Sequence, residues 1–241
     1  MNLITPSMQL LLQKIASIIA VYLVCVSCAN AQAWEYLTPI KTNSEVRGCS
    51  FLDEQRGIAV ILATKKVFRT MDGGDTWENM WTPGVNSNTT GVECVTEDLL
   101  FITAGNGDLF RSLDGGNTWS NVNPPTTMWL YNVHFINETT GFVTGESGTI
   151  LKTTDAGTTW TLIPPVTTSR LYGVHFTDAN NGFIAGWNGT ILRTTDGGDS
   201  WSVITTSITA SLQDVHFIDA NTGFASGGVI AKTIDLSLIH I

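Results

Sequence analysis

An eight-residue pattern recurs four times in this 241-residue chain, and its spacing constrains the fold more than any other feature. Each copy reads Thr or Ser, any residue, Asp, Gly or Ala, Gly, a polar residue, Thr or Ser, and Trp. The copies end at Trp77, Trp119, Trp160 and Trp201. Their aspartates are 42, 41 and 41 residues apart, at Asp72, Asp114, Asp155 and Asp196. Periods of this length are typical of propellers and solenoids, so the chain is a repeat protein.

Each repeat also contains four short stretches of strand-forming residues. In the clearest copy they are residues 174–176, 182–186, 190–194 and 201–204, separated by Gly, Asn and Asp residues that favour turns. Four antiparallel strands in about 41 residues match the size of a propeller blade. The sequence therefore predicts an all-β fold, a β-propeller of four-stranded antiparallel blades, with about five blades in this chain.

The composition agrees with strands and turns, and it argues against two classes of partner. Only 14% of the residues are charged, whereas 43% are hydrophobic and 23 residues are glycine. The formal net charge is -9, from 12 Lys and Arg against 21 Asp and Glu. Nucleic acids and anionic membrane surfaces are bound through basic patches. We therefore expect neither of them as a partner.

The eight-residue box has a mechanical explanation as a turn between two strands. Its aspartate can accept N–H hydrogen bonds within the turn, its second glycine can adopt a positive φ, and its tryptophan can pack over the hairpin. Ala156 replaces the first glycine in one box. The sequence therefore predicts that only the second glycine is conformationally required, at Gly74, Gly116, Gly157 and Gly198.

The box resembles the Asp-box, also called the bacterial neuraminidase repeat. Its flanking residues, most clearly 172–193, are similar to those of propellers related to the photosystem II stability and assembly factor. The resemblance covers residues 34–235. It implies a non-enzymatic, exported and typically seven-bladed propeller that binds protein partners and needs no cofactor. On this view the chain is a fragment of a seven-bladed ring.

The N-terminal residues 1–33 depart from the repeat and are typical of a secretory signal peptide. They contain one charge, Lys14, then an apolar run over residues 15–26, then overlapping Ala-x-Ala patterns that end at Ala33. The apolar run is shorter than the roughly 20 residues of a membrane span. A lipoprotein signal around Cys28 is the alternative. We expect a secreted or periplasmic protein with no membrane insertion after cleavage.

The last six residues do not continue the repeat. After Asp235 the box should end in x-Gly-x-Thr-Trp, but the chain reads Leu236-Ser-Leu-Ile-His-Ile241. That hexapeptide matches one reading frame of a transposon end used to tag sequencing libraries. The sequence therefore predicts a propeller over residues 34–235, a non-native tail over residues 236–241, and a last blade without its outer strand. Such an open ring has an uncovered blade face, which favours aggregation.

No pattern in the sequence points to catalytic residues. The enzymatic alternative is a fragment of a secreted propeller glycoside hydrolase, of the sialidase or polysaccharide hydrolase type. Sialidases contain Asp-boxes and use a Tyr nucleophile with a cluster of arginines. The basic residues here recur just before each box, so we interpret them as scaffold: Arg69, Arg111, Lys152 and Arg193.

Three histidines and two cysteines are the candidates for metal or redox chemistry. His134, His175 and His216 occupy the same position in three successive blades. A metal site is one interpretation, and repeated packing is the favoured one, so no metal is expected. Cys49 and Cys94 lie in the first strands of adjacent blades. We expect free thiols there, with a disulfide as the alternative.

Repeat positions whose residue differs from blade to blade are not required by the scaffold, so they can serve in binding. Two such repeat positions indicate a binding face. Trp129 and Arg170 precede the first strand of their blades, whereas Glu146 and Trp187 lie between the second and third strands. In an up-down-up-down blade both connections lie at the end opposite the box. Trp and Arg are enriched at binding hot spots. The sequence therefore predicts a binding face made of these four residues, for a protein or, as the alternative, a glycan.

Overall fold

The structure, a computed structural model, describes residues 45–62, 66–81, 88–219, 221–234 and 239–240. These residues form five four-stranded antiparallel sheets joined by turns, and their only helical segments are three single 3-10 turns. The fold is therefore all-β, a partial β-propeller of about five blades, as the repeat predicts. The predicted signal peptide lies outside the described residues.

The strands of each blade pair in chain order. Blade 1 contains β1 (Val46–Phe51), β2 (Gly57–Ile61), β3 (Lys66–Thr70) and β4 (Glu78–Trp81). Blade 2 contains β5 (Thr89–Cys94), β6 (Leu100–Ala104), β7 (Leu109–Ser112) and β8 (Ser120–Asn121). Blade 3 contains β9 (Leu130–Phe135), β10 (Gly141–Gly145), β11 (Ile150–Thr153) and β12 (Thr161–Leu162). Blade 4 contains β13 (Leu171–Phe176), β14 (Gly182–Gly186), β15 (Ile191–Thr194) and β16 (Ser202–Ile204), and blade 5 contains β17 (Leu212–Phe217), β18 (Gly223–Gly227), β19 (Ile230–Thr233) and β20 (Ile239–His240).

The described chain divides into two compact units. One contains the residues up to 101 together with 112–119, and the other contains residues 102–111 together with those from 120 onward. In the first unit the apolar residues of β2 are buried, including Ile58, Val60 and Ile61. Among the described residues of the second unit, one hydrophobic cluster is shared by blades 3 and 4 and another by blades 4 and 5. Burial between successive blades therefore supplies much of the stability of this unit.

An aromatic side chain from the second strand of one blade packs against the next blade. Phe142 of β10 stacks on Phe176 of β13, with ring centroids 4.6 Å apart, and meets Trp201 edge-on at 6.2 Å. The same Phe142 ring lies so close to Gly198 that a Cβ atom there would collide with it. In the next pair of blades, Phe183 stacks on Phe217 at 4.2 Å. The box glycine and tryptophan are therefore part of the contact between blades.

The hydrogen bonds within each box follow one scheme. In the third box, Oδ1 of Asp155 accepts the Thr153 hydroxyl at 2.8 Å and the Thr159 N–H at 2.9 Å, and Oδ2 accepts the Thr159 hydroxyl at 2.6 Å. The Gly157 N–H donates to the Thr153 hydroxyl at 3.0 Å, and the Trp160 indole N–H donates to the Gly157 carbonyl at 3.2 Å. The boxes around Asp72, Asp114 and Asp196 repeat the carboxylate contacts. This is the turn chemistry that the sequence predicts.

These hydrogen bonds stabilise the ionised carboxylates of the boxes. The Thr76 hydroxyl lowers the pKa of Asp72 to about 2, and the Thr159 hydroxyl does the same for Asp155. The pKa values of Asp114 and Asp196 are lowered for the same reason. Because these pKa values are depressed in the folded state, the stabilisation is present above pH 4 and is lost as the pH falls toward 2.

The prediction about box glycines needs one correction. The first glycine position also has a positive φ, +75° at Gly73, +67° at Gly115 and +70° at Gly197. Ala156 adopts the same conformation, with φ of +56°. Its Cβ atom is strained there, because the left-handed region disfavours residues with a side chain. The alanine in one copy therefore marks a strained position and not a permissive one.

The basic residue before each of the first three boxes connects its blade to the next one. Its side chain donates to a main-chain carbonyl of the following box, a contact that we call the interblade clamp. The described clamps are Arg69 to Gly115 (2.9 Å), Arg111 to Ala156 (3.3 Å) and Lys152 to Gly197 (2.7 Å). The interpretation of these basic residues as scaffold is therefore confirmed for these three.

The outer strand of blade 5 differs from the expectation. The two-residue strand β20 pairs with β19, with Ile239 opposite Thr233 and His240 opposite Lys232. A short outer strand is thus present, formed by residues that the sequence assigns to a non-native tail. Residues 235–238 and 241 lie outside the described residues, and the origin of the tail stays a prediction.

Candidate functional site

The turns between the second and third strands of blades 3 and 4 share one backbone conformation. In blade 4 the Thr190 N–H donates to the Trp187 carbonyl at 3.1 Å, and Asn188 and Gly189 have φ of +53° and +68°. This is a type I′ turn, for which Asn-Gly is the preferred sequence. Ser147 and Gly148 occupy the same positions in blade 3, with φ of +55° and +74°. The residue that begins each turn, Glu146 or Trp187, is thereby held at the end of its blade.

Main-chain hydrogen bonds place the other two predicted residues beside these turns. The Glu146 N–H donates to the Trp129 carbonyl at 2.8 Å, and the Trp187 N–H donates to the Arg170 carbonyl at 2.8 Å. Blade 5 repeats the contact with the Gly228 N–H and the Ser211 carbonyl, at 2.8 Å. The backbone is therefore constant at this position, while the side chains differ between blades.

Side-chain contacts join Glu146, Arg170 and Trp187 across blades 3 and 4, whereas the Trp129 ring contacts blade 2. Nη2 and Nε of Arg170 lie 3.1 and 3.2 Å from Oε1 of Glu146. The guanidinium group also lies over the Trp187 ring, 5.8 Å from its centroid. Trp129 packs over Gly105, where a Cβ atom would lie 3.0 Å from Cε2 of the indole. Trp129 is 36% exposed and Trp187 is 44% exposed.

Two tyrosines complete this cluster, and sequence reasoning missed them. Tyr131 and Tyr172 are the extra residues of β-bulges in β9 and β13, and a bulge turns its side chain away from the regular alternation. Their ring centroids are 5.0 Å apart. A hydrogen bond with Tyr172 is the main cause that raises the pKa of Arg170. Burial, followed by the charge of Glu146, raises the pKa of Tyr131.

We call this cluster the Arg170 surface: Trp129, Tyr131, Glu146, Arg170, Tyr172 and Trp187. It offers a guanidinium, a carboxylate and aromatic rings in one rigid arrangement. The repeated Tyr at the second position of β9 and β13 was the available signal, because Gln213 replaces it in the next repeat. That a partner binds here stays a prediction.

The three repeated histidines lie side by side along the first strands of their blades. His134 and His175 are stacked, with ring centroids 5.9 Å apart, whereas His175 and His216 are tilted to each other, with centroids 4.5 Å apart. These ring contacts agree with the packing interpretation. In the described part of the chain, no group of three or more His, Cys, Asp or Glu residues is arranged to hold a metal ion.

Asp214 lies beside the neighbouring blade, two residues before His216. A Cβ atom at Gly173 would lie 2.5 Å from its Oδ1 atom, and the Val215 N–H donates to Oδ1 at 2.9 Å. Burial raises the pKa of Asp214 to about 6, although the hydrogen bond from the Val215 N–H opposes this shift.

The two cysteines are free, as expected. Cys94 donates to the Ser50 carbonyl, with Sγ at 3.4 Å from the oxygen. Burial raises the pKa of the Cys49 thiol to about 11 and that of Cys94 to about 12. Thiols of this kind are poor nucleophiles at neutral pH. Across the described ranges, no helix is long and apolar enough to span a membrane.

The repeated boxes and four-stranded blades define a β-propeller of the Asp-box, or bacterial neuraminidase repeat, class. A family described as Photosynthesis system II assembly factor YCF48 matches residues 79–154 and 153–231. The chain belongs to this family. No curated protein sequence matches it.

Solved structures that are similar to this chain include YCF48 proteins and an enzyme. YCF48 from Cyanidioschyzon merolae is 13% identical over 86% of this chain and 86% of its own, with a TM-score of 0.50. A structure described as YCF48 bound to D1 peptide is 17% identical over 85% and 84%, with a TM-score of 0.46. The GH74 enzyme of Niastella koreensis is 16% identical, with a TM-score of 0.65, over 89% of this chain but 34% of the enzyme. At these identities the GH74 similarity shows the fold alone.

Proposed function

We propose that this chain is an exported, non-enzymatic propeller that acts as a protein-binding scaffold or assembly factor, and that its partner binds to the Arg170 surface. The observation that carries the proposal is the arrangement of two exposed indoles beside an ion pair. Trp129 and Trp187 flank Glu146 and Arg170, and main-chain hydrogen bonds hold all four. Membership of the photosystem II assembly factor family supports the assembly role.

The chemistry of this surface suits a protein partner. Exposed Trp and Tyr rings offer a large apolar contact area with few rotatable bonds, so little conformational entropy is lost on binding. Glu146 and Tyr172 hold the Arg170 side chain in place. Its guanidinium has further N–H groups that can donate hydrogen bonds to a carboxylate or carbonyl of a partner. A segment with an apolar side chain next to an acceptor group would match this surface.

Site-specific photocrosslinking tests the proposal. A photoreactive phenylalanine analogue replaces Trp187 in one variant of the full chain and Val203 in another. Val203 is an exposed apolar residue of β16, 53% exposed, outside the Arg170 surface. After illumination with the extracytoplasmic fraction of the source organism, we expect one protein to crosslink from position 187 and not from position 203. Calorimetry with that purified protein then measures its affinity for the wild-type chain and for Arg170→Ala.

Two results would overturn the proposed function. The first is a protein that crosslinks equally from both positions and binds Arg170→Ala as tightly as the wild type. The second is release of reducing sugars from polysaccharides or sialosides by the purified chain, which would support the glycoside hydrolase alternative. A glycan array separates the remaining alternative, in which the same aromatic rings bind a sugar.

A further inference from the structure

A cavity of about 200 Å³ lies in the contact between blades 1 and 2, within the first compact unit. Its apolar lining includes Ile58 of β2, Cys94 at the end of β5 and Leu100 at the start of β6. Ile58 and Leu100 are buried, whereas the Met71 side chain, which also lines the cavity, is exposed. Among the described residues, no aromatic side chain lines the cavity.

Aromatic rings occupy the corresponding place between blades 3 and 4. There Phe142 stacks on Phe176, with ring centroids 4.6 Å apart. Ile58 stands at the repeat position of Phe142, and Cys94 stands at that of Phe176. Both replacements are smaller than phenylalanine, and Leu100, at a position that is glycine in blade 4, recovers only part of the volume. The cavity is therefore a gap in the packing that two rings close elsewhere in the fold.

The volume of the cavity suits one aromatic ring with a short substituent. An apolar cavity of roughly 150 Å³ holds a benzene molecule. The cavity between blades 1 and 2 is somewhat larger, at about 200 Å³. A ring placed against Ile58 and Leu100 leaves water for an apolar surface, which the hydrophobic effect favours.

Both arginines of the lining are already engaged with other groups of the chain. Nη2 of Arg56 lies 2.8 Å from Oδ2 of Asp53, and its Nη1 lies 2.7 Å from Oε2 of Glu97. Nη1 of Arg69 donates to the Gly115 carbonyl at 2.9 Å. An incoming anion would therefore compete with groups that these guanidinium ions already contact.

The acidic residues of the lining favour a cation instead. Three carboxylates line the cavity against two guanidinium groups, and they belong to Glu97, Asp98 and Asp114. Asp98 is exposed in the turn between β5 and β6, and it forms no ion pair with a described residue. An ammonium group beside this carboxylate gains a favourable charge interaction.

We propose that the cavity between blades 1 and 2 binds a small aromatic amine. The ring lies between Ile58 and Leu100, and the ammonium group lies beside Asp98. Phenylalanine at the two repeat positions closes this space in blades 3 and 4, so the site belongs to one pair of blades. It lies outside the Arg170 surface and does not depend on the proposed function.

Three matched probes test the chemistry of the site: benzylamine, benzyl alcohol and benzoate. They share one ring and differ in charge at pH 7. Each is titrated into the isotope-labelled full chain and followed by the amide chemical shifts. We expect benzylamine to shift the signals of Asp98, Gly115 and Asn117 in a saturable way. It should bind about threefold or more tightly than benzyl alcohol, and benzoate should bind most weakly, because only the cation pairs with a carboxylate.

Two variants and a control locate the binding. Ile58→Phe introduces the residue of blades 3 and 4 and fills the cavity, so it should abolish binding of every probe. Asp98→Asn keeps the shape and removes the charge. It should weaken benzylamine binding by about threefold or more and leave benzyl alcohol unchanged. Val203→Phe adds the same ring at an exposed position of β16 and should bind all three probes as the wild type does.

Several outcomes overturn the proposal. The absence of a saturable shift with any probe rejects the cavity as a binding site. Full binding by a folded Ile58→Phe variant places the ring elsewhere. Equal affinities for the three probes, or tightest binding of benzoate, reject the amine. Should Ile58→Phe fail to fold, the test rests on Asp98→Asn, and benzylamine binding that this variant leaves unchanged contradicts the assignment.

Discussion

The two ends of blades 3 and 4 are built on different principles. At the box end, Asp155 and Asp196 make the same hydrogen bonds with the same types of side chain. At the opposite end, the hydrogen bonds that Glu146 and Trp187 have in common are made by their own main-chain N–H and carbonyl groups, and their side chains differ. The box end therefore constrains side-chain identity, whereas the other end constrains only the backbone.

This difference separates stability from recognition within a single blade. A side chain whose contacts stabilise the fold must be repeated in every copy. A side chain that the backbone merely presents can change without loss of the fold, as the exchange of Glu146 for Trp187 shows. Substitutions of the same type at the two ends should therefore have unequal effects on the free energy of unfolding, and we order the predictions by that effect.

The largest decrease in the free energy of unfolding is expected for Trp160→Ala in the third box. Trp160 is buried, meets Phe135 edge-on at 6.0 Å and donates to the Gly157 carbonyl. Removing a buried aromatic ring of this size costs about 3–5 kcal/mol of unfolding free energy. Chemical denaturation measures this value. A loss below about 1 kcal/mol would show that the box tryptophan does not hold the blade.

Asp214→Asn should increase the free energy of unfolding. It tests a position that differs between blades but lies outside the Arg170 surface. Asn132 and Gly173 occupy the equivalent positions. The pKa of Asp214 is raised to about 6 in the folded state, so the folded state holds a proton that the unfolded state loses near pH 4. The unfolding free energy therefore falls as the pH rises from about 4 to 6.

Replacing the carboxyl group with an amide should remove that fall. We expect a gain of at most about 3 kcal/mol at pH 7, from a pKa shift of about two units, and little change at pH 4. Denaturation at both pH values checks the sign. Equal changes at pH 4 and pH 7 would show that the gain comes from packing instead.

Ala156→Gly should stabilise the third box by about 1 kcal/mol, because it relieves a side chain from positive φ. Ala179→Gly is the matched control, at an exposed position outside the residues with positive φ. The control should be neutral or destabilising, since glycine adds entropy to the unfolded chain. Thermal melts distinguish the two variants. Identical shifts would contradict the strain at position 156.

The smallest effect on stability is expected for Trp187→Ala, the matched counterpart of Trp160→Ala at the other end. Its ring is 44% exposed, so the unfolding free energy should change by less than about 0.5 kcal/mol. Trp129→Ala should behave similarly. Each change should weaken partner binding by about 2 kcal/mol or more, as expected of an aromatic anchor. Normal binding by both variants, with loss after changes at the box end, would mean that the partner uses the opposite face.

The sequence was sufficient for the parts of the structure that repeat. The predicted segments 182–186 and 201–204 correspond to β14 and β16, because periodicity and turn residues specify the blade. The sequence was insufficient where the backbone conformation of a single residue decides the structure. Ala156 concealed a positive φ, and strand alternation alone does not locate the bulge at Tyr172. The ion pair of Glu146 with Arg170 depends on how two blades meet, which a period of 41 residues does not determine.

The interblade clamp has a consequence for how the number of blades can change during evolution. The donor of each clamp lies in one repeat and its acceptor lies about 45 residues later in the next, as for Lys152 and Gly197. Duplication of one complete repeat therefore adds a donor and an acceptor together, and deletion of one removes both. The neighbouring repeats then join through an equivalent clamp. A gene encoding such a chain can gain or lose blades by unequal recombination without a second, compensating mutation.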